Sequence, residues 1–418
     1  MTTVNRAAWK KPQPDSAKLG ALLDAAATEF NARGIAGARL AHVAKQVGIG
    51  RAALYYYVDS REDLAYRCYL RAGASTTNDL AAAKNEKNGL TRLIRFLRLA
   101  LDPSRAPAVV LSEIAYLGGE HRREIDAAHA RNMRELRRFI EDGIDDRSLR
   151  TCDASVVAQT LFGMVSWVPL ATAYVSGYGS DVRARAADAL CDLVESGTAA
   201  DPDVPFHCPL DFADFAFRPG NVFDRRDASE HKVELLLQTA SRLFNQRGID
   251  GTSLDDITAA LGATKGAFYH HLPQKRALVM RCQQRATDLY ERFAEAASKT
   301  GATGYERTMI GLHLNVQAQA SDDAPLSPLT GLEMLPASVL RDIRSRSERI
   351  TRRFEKFNLD GIADRSLRKF DVHTLSLAGA GAFGWIPKWW SSESGSSPRQ
   401  LADEIVALFS HGLRRKRK

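Results

Sequence analysis

The sequence lacks the residue patterns that would indicate an enzyme, a secreted protein or a metalloprotein. Its five cysteines are scattered without a CxxC pair, which predicts free thiols in a reducing compartment and disfavours disulfides or a zinc site. The N-terminal stretch MTTVNRAAWKKPQPDS contains no apolar run, so we expect no signal peptide. GxSxG, HExxH, Walker and GxGxxG motifs are all absent, so we expect no catalytic site, no metal and no cofactor.

Charge is missing from one long segment, residues 154–180, whose length could span a bilayer. The segment also contains polar side chains and Pro169, and its counterpart at 374–387 is shorter and ends at Lys388. We therefore predict a buried helix at a helix–helix interface and no contact with a membrane. The whole chain carries a formal net charge of +8, which permits a polyanion such as nucleic acid as a partner.

The sequence contains two copies of one long pattern. LLDAAATEFNARGI at 22–35 matches LLQTASRLFNQRGI at 236–249, and DGIDDRSLRTCD at 142–153 matches DGIADRSLRKFD at 360–371. Further on, FGMVSWVP at 162–169 matches AFGWIP at 382–387, which places Trp167 opposite Trp385. Because the similarity runs through nearly all of each half, we predict two whole domains in tandem, called copy 1 and copy 2 below.

The spacing of apolar residues is helical in both copies, as in Leu22, Ala26 and Phe30. Gly34 and Gly248 follow the first helix of each copy and are predicted to end it. No alternating polar–apolar run indicates a β-strand. The chain is therefore predicted to be all-α.

A helix-turn-helix is predicted in copy 2 from GTSLDDITAALGATKGAFYHHLPQKRAL at 251–278. Thr252 or Ser253 can cap a first short helix, and Thr264 can cap a second that ends before Pro273. The second helix is small enough to enter the DNA major groove. Its adjacent histidines point about 100° apart and do not chelate one metal ion well, which favours DNA contact over a metal site.

These residues resemble the DNA-binding region of the TetR family of bacterial transcriptional regulators, and EFNARGIAGARLAHVAKQVGIGRAALYYYVDSREDL at 29–64 resembles it almost as well. The resemblance implies a ligand-responsive repressor with two helix-turn-helix heads. Each domain would have an N-terminal three-helix unit followed by a helical ligand-binding and dimerisation bundle, and the two would form a pseudo-dimer. The residues it implies for DNA contact are Arg51, Ala52, Tyr55, Tyr56, Arg61, Thr252, Thr264, Lys265, Gly266, Tyr269, His270 and Lys275.

Copy 1 departs from the pattern at its capping positions. Ala38 and Arg39 stand where copy 2 has Thr252 and Ser253, and Gly50 stands where copy 2 has Thr264. Each lost cap costs about 1 kcal/mol. We therefore expect the first head to be less rigid, or to bind a different half-site.

The predicted boundaries follow the repeat. They are an N-terminal arm at 1–15, DNA-binding domain 1 at 16–64, effector and pairing domain 1 at 65–197, a linker at 198–228, DNA-binding domain 2 at 229–278, effector and pairing domain 2 at 279–413, and a basic tail at 414–418. The linker holds five phenylalanines (Phe206, Phe212, Phe215, Phe217 and Phe223), so we expect it to pack along the domain surfaces. The tail is either a solvated end or an arm that binds phosphate.

Aromatic residues in the predicted pairing helices are candidates for a ligand pocket: Phe162, Trp167, Phe383 and Trp385. The alternative is that the tryptophans only bury the interface between the copies. Similarity to the acyl-CoA-responsive branch of the family implies a small apolar or acyl-CoA-like effector. Pro169 and Pro387 are predicted to kink their helices and open space for it.

The remaining expectations concern assembly. The two copies are predicted to pair within one cytoplasmic chain and to bind a double-stranded DNA operator with an imperfect palindrome. A homodimer carrying four heads, and a ligand-sensing protein whose first head is degenerate, are the alternatives.

Overall fold

The computed structural model describes residues 16–174, 179–218, 220, 224–262, 274–327, 330–391, 393 and 395–415. Helices predominate in copy 1. They are α1 (Ser16–Gly37), α2 (Leu40–Gln46), α3 (Arg51–Tyr57), α4 (Arg61–Ala83), α5 (Gly89–Ala100), the 3-10 helix Leu111–Tyr116, α6 (Gly119–Asp145), α7 (Ala154–Tyr174) and α8 (Val182–Ser196).

Copy 2 repeats this order. After a 3-10 turn at Phe212–Asp214, its helices are α9 (Arg225–Arg247), α10 (Leu254–Ala260), α11 (Lys275–Thr300), α12 (Gly304–Gln319), the 3-10 helix Leu332–Met334, α13 (Ala337–Ala363), α14 (Val372–Gly379), α15 (Gly381–Gly384), the 3-10 helix Ile386–Lys388 and α16 (Pro398–His411). The described residues contain no β-strand beyond two isolated bridges. The predictions of an all-α fold and a tandem repeat are confirmed.

Glycine interrupts the first helix at the same place in each copy. Gly34 has φ +72° and Gly248 has φ +83°, a left-handed region that other residues rarely adopt. In copy 2 the helix ends there, while in copy 1 a further turn continues to Gly37. Gly248 therefore ends its helix as predicted, whereas Gly34 interrupts α1 three residues before its end.

The uncharged segment behaves differently in the two copies. In copy 1 it forms the continuous helix α7, with Pro169 inside it. In copy 2 it is divided into α14, α15 and the 3-10 helix Ile386–Lys388. Pro387 lacks a backbone N–H, and Gly379, Gly381 and Gly384 lower helix propensity. The predicted kink is thus a full break in copy 2.

The stretch Ala154–Thr172 of α7 is long and apolar enough to cross a membrane, and 61% of it is buried inside the structure. It packs against α6 of its own copy and against α14, α15 and α16 of copy 2. Gly163 and Gly381 allow the closest approach, since a methyl group added at Gly381 would lie 2.5 Å from the Gly163 carbonyl oxygen. This burial fits the predicted interface helix.

The two copies share one hydrophobic core. Leu161, Met164 and Leu190 of copy 1 are fully buried in the same cluster as Ala378 and Ile386 of copy 2. A core that crosses the boundary resembles an obligate interface, which is more apolar than a transient one.

Reciprocal contacts join the ends of the two copies. Arg150 Nε donates to the Gly412 carbonyl oxygen at 2.7 Å, and its counterpart Arg368 donates to the Gly197 carbonyl oxygen at 2.6 Å. The bridge between Leu149 and Arg414 is likewise repeated by the bridge between Leu367 and Ala199. These two pairs of contacts recur with the copies exchanged, as contacts do in a two-fold dimer.

The linker packs against copy 2, in agreement with the expectation. Phe212 is 6% exposed, and the rings of Phe212 and Phe215 lie 6.1 and 5.2 Å from that of Phe293. Phe206 stacks edge-on against Tyr305. Phe223 lies outside the described residues.

The start of the basic tail is also structured. Arg414 pairs with Glu195, and Arg415 N donates to the Ser148 carbonyl oxygen at 3.1 Å. Both residues are exposed, and these two contacts extend the interface with copy 1. Residues 416–418 lie outside the described part.

Candidate DNA-binding and effector sites

The second helix of the helix-turn-helix, α3, is held to copy 1 by one buried side chain. Leu54 is 0% exposed, whereas Tyr55 and Tyr56 are 41% and 40% exposed. Arg51 and Ala52 are exposed at the start of the same helix. Since α3 is anchored on one side only, its other faces are open to a nucleic acid.

Arg61 is placed differently from the expectation. It begins α4, where Ser60 Oγ accepts from Asp63 N at 3.0 Å, but its guanidinium donates to the Ile35 carbonyl oxygen at 2.8 Å and to that of Ala36. In this structure Arg61 therefore fastens α4 to the end of α1. To contact a phosphate, the Arg61 guanidinium would have to share its N–H donors between the phosphate and these two carbonyl oxygens.

Glu29 lies beside the start of α2, where the N-cap residue Arg39 makes no side-chain cap hydrogen bond. It is 6% exposed, and its carboxylate accepts from Arg39 N at 3.0 Å and faces His42 Nδ1 at 3.0 Å. Copy 2 has the apolar Leu243 at the equivalent position. The predicted loss of the first cap is thus partly offset, whereas Gly50 provides no side-chain cap for α3, as expected.

Thr252 does not lie on the surface of copy 2. It is 0% exposed, and its hydroxyl donates to the Gly248 carbonyl oxygen at 2.9 Å. The prediction that its side chain contacts DNA is therefore wrong, because it fastens the turn after α9. Ser253 is the cap of α10, and its Oγ accepts from Asp256 N at 3.0 Å.

Lys275 begins α11 and is half-buried. Burial lowers the pKa of its amine, while the negative charges of Asp250 and Asp256 act to raise it. The other predicted contacts of copy 2, Thr264, Lys265, Gly266, Tyr269 and His270, lie outside the described residues.

A cavity of about 280 Å³ lies in copy 2. Apolar lining comes from Leu375, Phe383 and Phe409, and Gln283 and Asn315 supply polar groups. Among the described residues that line it, none has a side chain charged at neutral pH. A space of this kind suits a neutral, mainly apolar molecule.

One polar atom of this cavity lacks a hydrogen-bond partner. Thr308 lines the cavity, and its buried Oγ1 makes no hydrogen bond within the structure. Buried hydroxyls are nearly always paired. A ligand with one hydrogen-bonding group could satisfy it.

Copy 1 has a smaller and more polar cavity of about 100 Å³. Asp79 lines it and pairs with Arg105 at 2.9 Å. His129 also lines it, and burial lowers the pKa of that imidazole. The two copies therefore do not offer equivalent ligand sites.

The four predicted ligand residues fall in three places. Trp167 and Phe383 line the cavity of copy 2, so a copy 1 residue contributes to it. Phe162 lines the cavity of copy 1. Trp385 lines neither cavity and is 4% exposed, packed near Phe162 with ring centroids 6.4 Å apart.

Comparison with known families agrees with this architecture. The model for bacterial regulatory proteins of the tetR family matches residues 22–68 and 236–282. The model for the tetracyclin repressor-like C-terminal domain matches residues 90–170 and 306–413. The chain belongs to the TetR family. It is a DNA-binding transcriptional regulator with two copies of the family's architecture.

Individual relatives match over stretches of different length. The uncharacterized regulator YuxN of Bacillus subtilis is 39% identical over 51 residues, which are 12% of this chain and 18% of that protein. The repressor AcnR of Corynebacterium jeikeium is 25% identical over 195 residues, or 44% of this chain and 96% of AcnR. The match with YuxN thus spans less than a quarter of the length of YuxN.

Among solved structures, the chain is similar to AibR in complex with isovaleryl coenzyme A and operator DNA. Identity is 24%, the TM-score is 0.37, and the match covers 43% of this chain and 98% of AibR.

Sequence reasoning missed three residues with ionisable side chains: Glu29 and Glu113, which are buried, and Lys388, which is half-buried. Each differs from its counterpart in the other copy, where Leu243, the Thr330–Gly331 turn and Leu170 are found. A comparison of the two copies would have revealed them, because each is an ionisable residue at a position where the other copy has an uncharged one.

Proposed function

We propose that this TetR-family chain is a ligand-responsive repressor that binds one operator as a pseudo-dimer, with one head on each half-site. The reciprocal contacts of Arg150 with Gly412 and of Arg368 with Gly197 carry this proposal. A tether that keeps two domains together gives an effective concentration on the order of mM. Binding a genomic operator would place the chain in the cytoplasm.

We assign DNA binding to residues 16–64 and 229–278, and effector binding and pairing to 65–197 and 279–413, joined by the linker 198–228. In head 1 the proposed contacts are Arg51, Ala52, Tyr55 and Tyr56, supported by their exposure. The proposed contacts of head 2 are Thr264, Lys265, Gly266, Tyr269 and His270, with Lys275 at the start of α11.

The proposed effector is a neutral apolar molecule bound in copy 2. The uncharged lining and the unpaired Thr308 hydroxyl support this class. Coenzyme A phosphates would find no cationic side chain among the described lining residues, so an acyl-CoA could place only its acyl chain in this cavity. Binding would release DNA if the ligand favours the conformation with lower operator affinity.

Light scattering and salt-dependent DNA binding test the arrangement. We expect a particle of about 46 kDa that binds a selected operator, with affinity falling as salt rises. Tyr55→Ala and Tyr269→Ala should weaken binding to similar extents. Thr252→Val is the control, and it should leave the salt dependence unchanged because Thr252 is buried.

The outcomes separate the alternatives. A stable particle of twice the mass would favour a homodimer with four heads. An effect of Tyr269→Ala without any effect of Tyr55→Ala would favour a chain whose first head is degenerate. Absence of salt-dependent binding to any selected fragment would contradict the regulator function.

A further inference from the structure

A buried carboxylate lies where the two DNA-binding heads meet. Glu113 belongs to the 3-10 helix Leu111–Tyr116 and is 2% exposed. Its carboxylate accepts from Ile35 N of head 1 at 2.6 Å and from Thr330 Oγ1 of copy 2 at 3.1 Å. One side chain of copy 1 thus holds the last turn of α1 to a loop of copy 2.

Glu113 also touches the same structural point in both heads. A methyl group added at Gly34 would lie 2.6 Å from Glu113 Oε1, and one added at Gly248 would lie 2.9 Å from Glu113 Cγ. These are the corresponding glycines that interrupt α1 and end α9. The Glu113 side chain therefore lies between the corresponding ends of the two first helices.

Lys388 makes a second connection at this junction. Its Nζ donates to the Ser112 carbonyl oxygen at 2.5 Å and to the Gln246 carbonyl oxygen at 3.3 Å. Ser112 precedes Glu113, and Gln246 lies in the last turn of α9, two residues before Gly248. Lys388 of copy 2 therefore ties the 3-10 helix of copy 1 to the first helix of head 2.

Neither group has an equivalent in the other copy. In copy 1, Leu170 stands where copy 2 has Lys388. In copy 2, the turn at Thr330 and Gly331 stands where copy 1 has Glu113, and this turn also faces Glu113. In a two-fold homodimer, any residue near the axis meets its own copy. Two glutamates would then face each other at short range, and like charges repel at such a site. Because the two copies of this chain differ in sequence, one glutamate can lie at the junction without a second glutamate facing it.

We propose that Glu113 and Lys388 are positioning residues that fix the separation of the two heads, and so select the half-site spacing that the regulator accepts. The proposal rests on the function proposed above, since spacing matters only if both heads bind one operator. Half-sites for paired helix-turn-helix units lie about one helical turn of DNA apart. If the two heads are held at one separation, they tolerate little change in the distance between the half-sites.

The test measures spacing preference with the full chain. A selected operator is rebuilt with its centre lengthened or shortened by single base pairs, and affinities are measured for wild type, Glu113→Ala, Glu113→Gln and Lys388→Met. Glu120→Ala is the matched control, because Glu120 is exposed on the neighbouring helix α6. We expect wild type and control to lose about tenfold in affinity per added base pair. The Glu113→Ala and Lys388→Met proteins should lose only about twofold.

A second readout needs no DNA. Spin labels on cysteines introduced at Lys45 of α2 and Ala259 of α10, both exposed, report the distance between the heads. We expect a narrow distribution in wild type and Glu120→Ala, and broader ones in Glu113→Ala and Lys388→Met. Glu113→Gln keeps the size of the side chain and an acceptor for Ile35 N, so its distribution should be intermediate.

Unchanged spacing preference and unchanged distances in folded variants would overturn the proposal. If Glu113→Ala does not fold, Glu113→Gln and Lys388→Met decide the question by the same two measurements. If wild type binds no operator, the two-head function fails. The label distances then still show whether Glu113 and Lys388 hold the heads together.

Discussion

The two heads differ in the side chains that contact the start of their first short helix, α2 in copy 1 and α10 in copy 2. Glu29 in copy 1 accepts from Arg39 N, whereas copy 2 uses the side chain of Ser253 as the cap of α10. Each arrangement provides a hydrogen-bond acceptor for a backbone N–H group at the start of a short helix, where such groups lack partners within the helix. The start of α2 in the first head is therefore stabilised by a contact from Glu29 of α1, and the start of α10 in the second head by the adjacent Ser253.

Glu29→Ala should loosen head 1 more than Ser253→Ala loosens head 2. Loss of Glu29 removes bonds to Arg39 N and His42 together, which we expect to cost about 2 kcal/mol. Loss of the Ser253 cap should cost about 1 kcal/mol. Hydrogen exchange followed by peptide mass spectrometry reports each head separately. Equal loss of protection in α2 and α10 would contradict this ranking.

Lys388 should make stability depend on alkaline pH. Burial lowers its pKa to about 8 from an ordinary value of 10.5, while the charge of Glu113 acts to raise it. Between these values the unfolded chain binds a proton that the native chain has released. The free energy of unfolding contributed by Lys388 therefore rises with pH across this window.

Denaturant titrations of wild type and Lys388→Met from pH 7 to pH 10.5 measure this effect. The difference in unfolding free energy, wild type minus variant, should become more positive above about pH 8. A difference that stays constant across the window would mean that the amine is not buried in solution.

At the scale of elements, the paired segments α7 and α14–α15 show how one pattern gave two structures. Trp167 and Trp385 occupy equivalent sequence positions, yet Trp167 lines the cavity of copy 2 and Trp385 does not line the cavity of copy 1. The glycines of copy 2 allow the broken segment to approach α7 closely, and Gly379 and Gly384 line the copy 2 cavity themselves.

Gly381→Ala should destabilise the protein through this crossing. Its new methyl group would lie 2.5 Å from the Gly163 carbonyl oxygen and 2.7 Å from Met164 Cα, and backbone atoms cannot easily move away. Such overpacking costs about 1–3 kcal/mol. Gly20→Ala is the control, because nothing lies within 4 Å of its added methyl group and alanine favours a helix by about 0.5–1 kcal/mol. Chemical denaturation should shift the two variants in opposite directions, and a neutral Gly381→Ala would argue against the close crossing.

At the scale of the whole molecule, the interface between the copies is two-fold in pattern but unequal in strength. Arg368 Nη2 donates to Asp192 Oδ2 at 2.8 Å in addition to its bond with the Gly197 carbonyl. The place equivalent to Asp192 in copy 2 is Ala407, and Arg150 Nη2 is buried without a partner. Burial lowers the pKa of Arg150.

Arg368→Met should therefore reduce stability more than Arg150→Met. The first change removes a charge-assisted bond as well as a bond to a carbonyl, and we expect an additional cost of about 1 kcal/mol. Equilibrium unfolding in denaturant compares the two proteins directly. Identical midpoints and slopes for both variants would show that the Asp192 contact adds nothing to the interface.

The sequence by itself determined the elements that depend on local pattern. Helical periodicity gave the all-α fold, the repeated stretches gave two copies, and Gly34 and Gly248 gave the ends of the first helical segments, since these signals act between residues close in the chain. The tertiary structure alone decided which residues meet across long separations. It set the backbone N–H of Arg39 against Glu29, buried Thr252, placed the uncharged cavity mainly in copy 2, and brought Glu113 and Lys388 to the junction of the heads. Such contacts depend on how the two copies pack, and small differences between them at buried positions determine where charge and space can be accommodated.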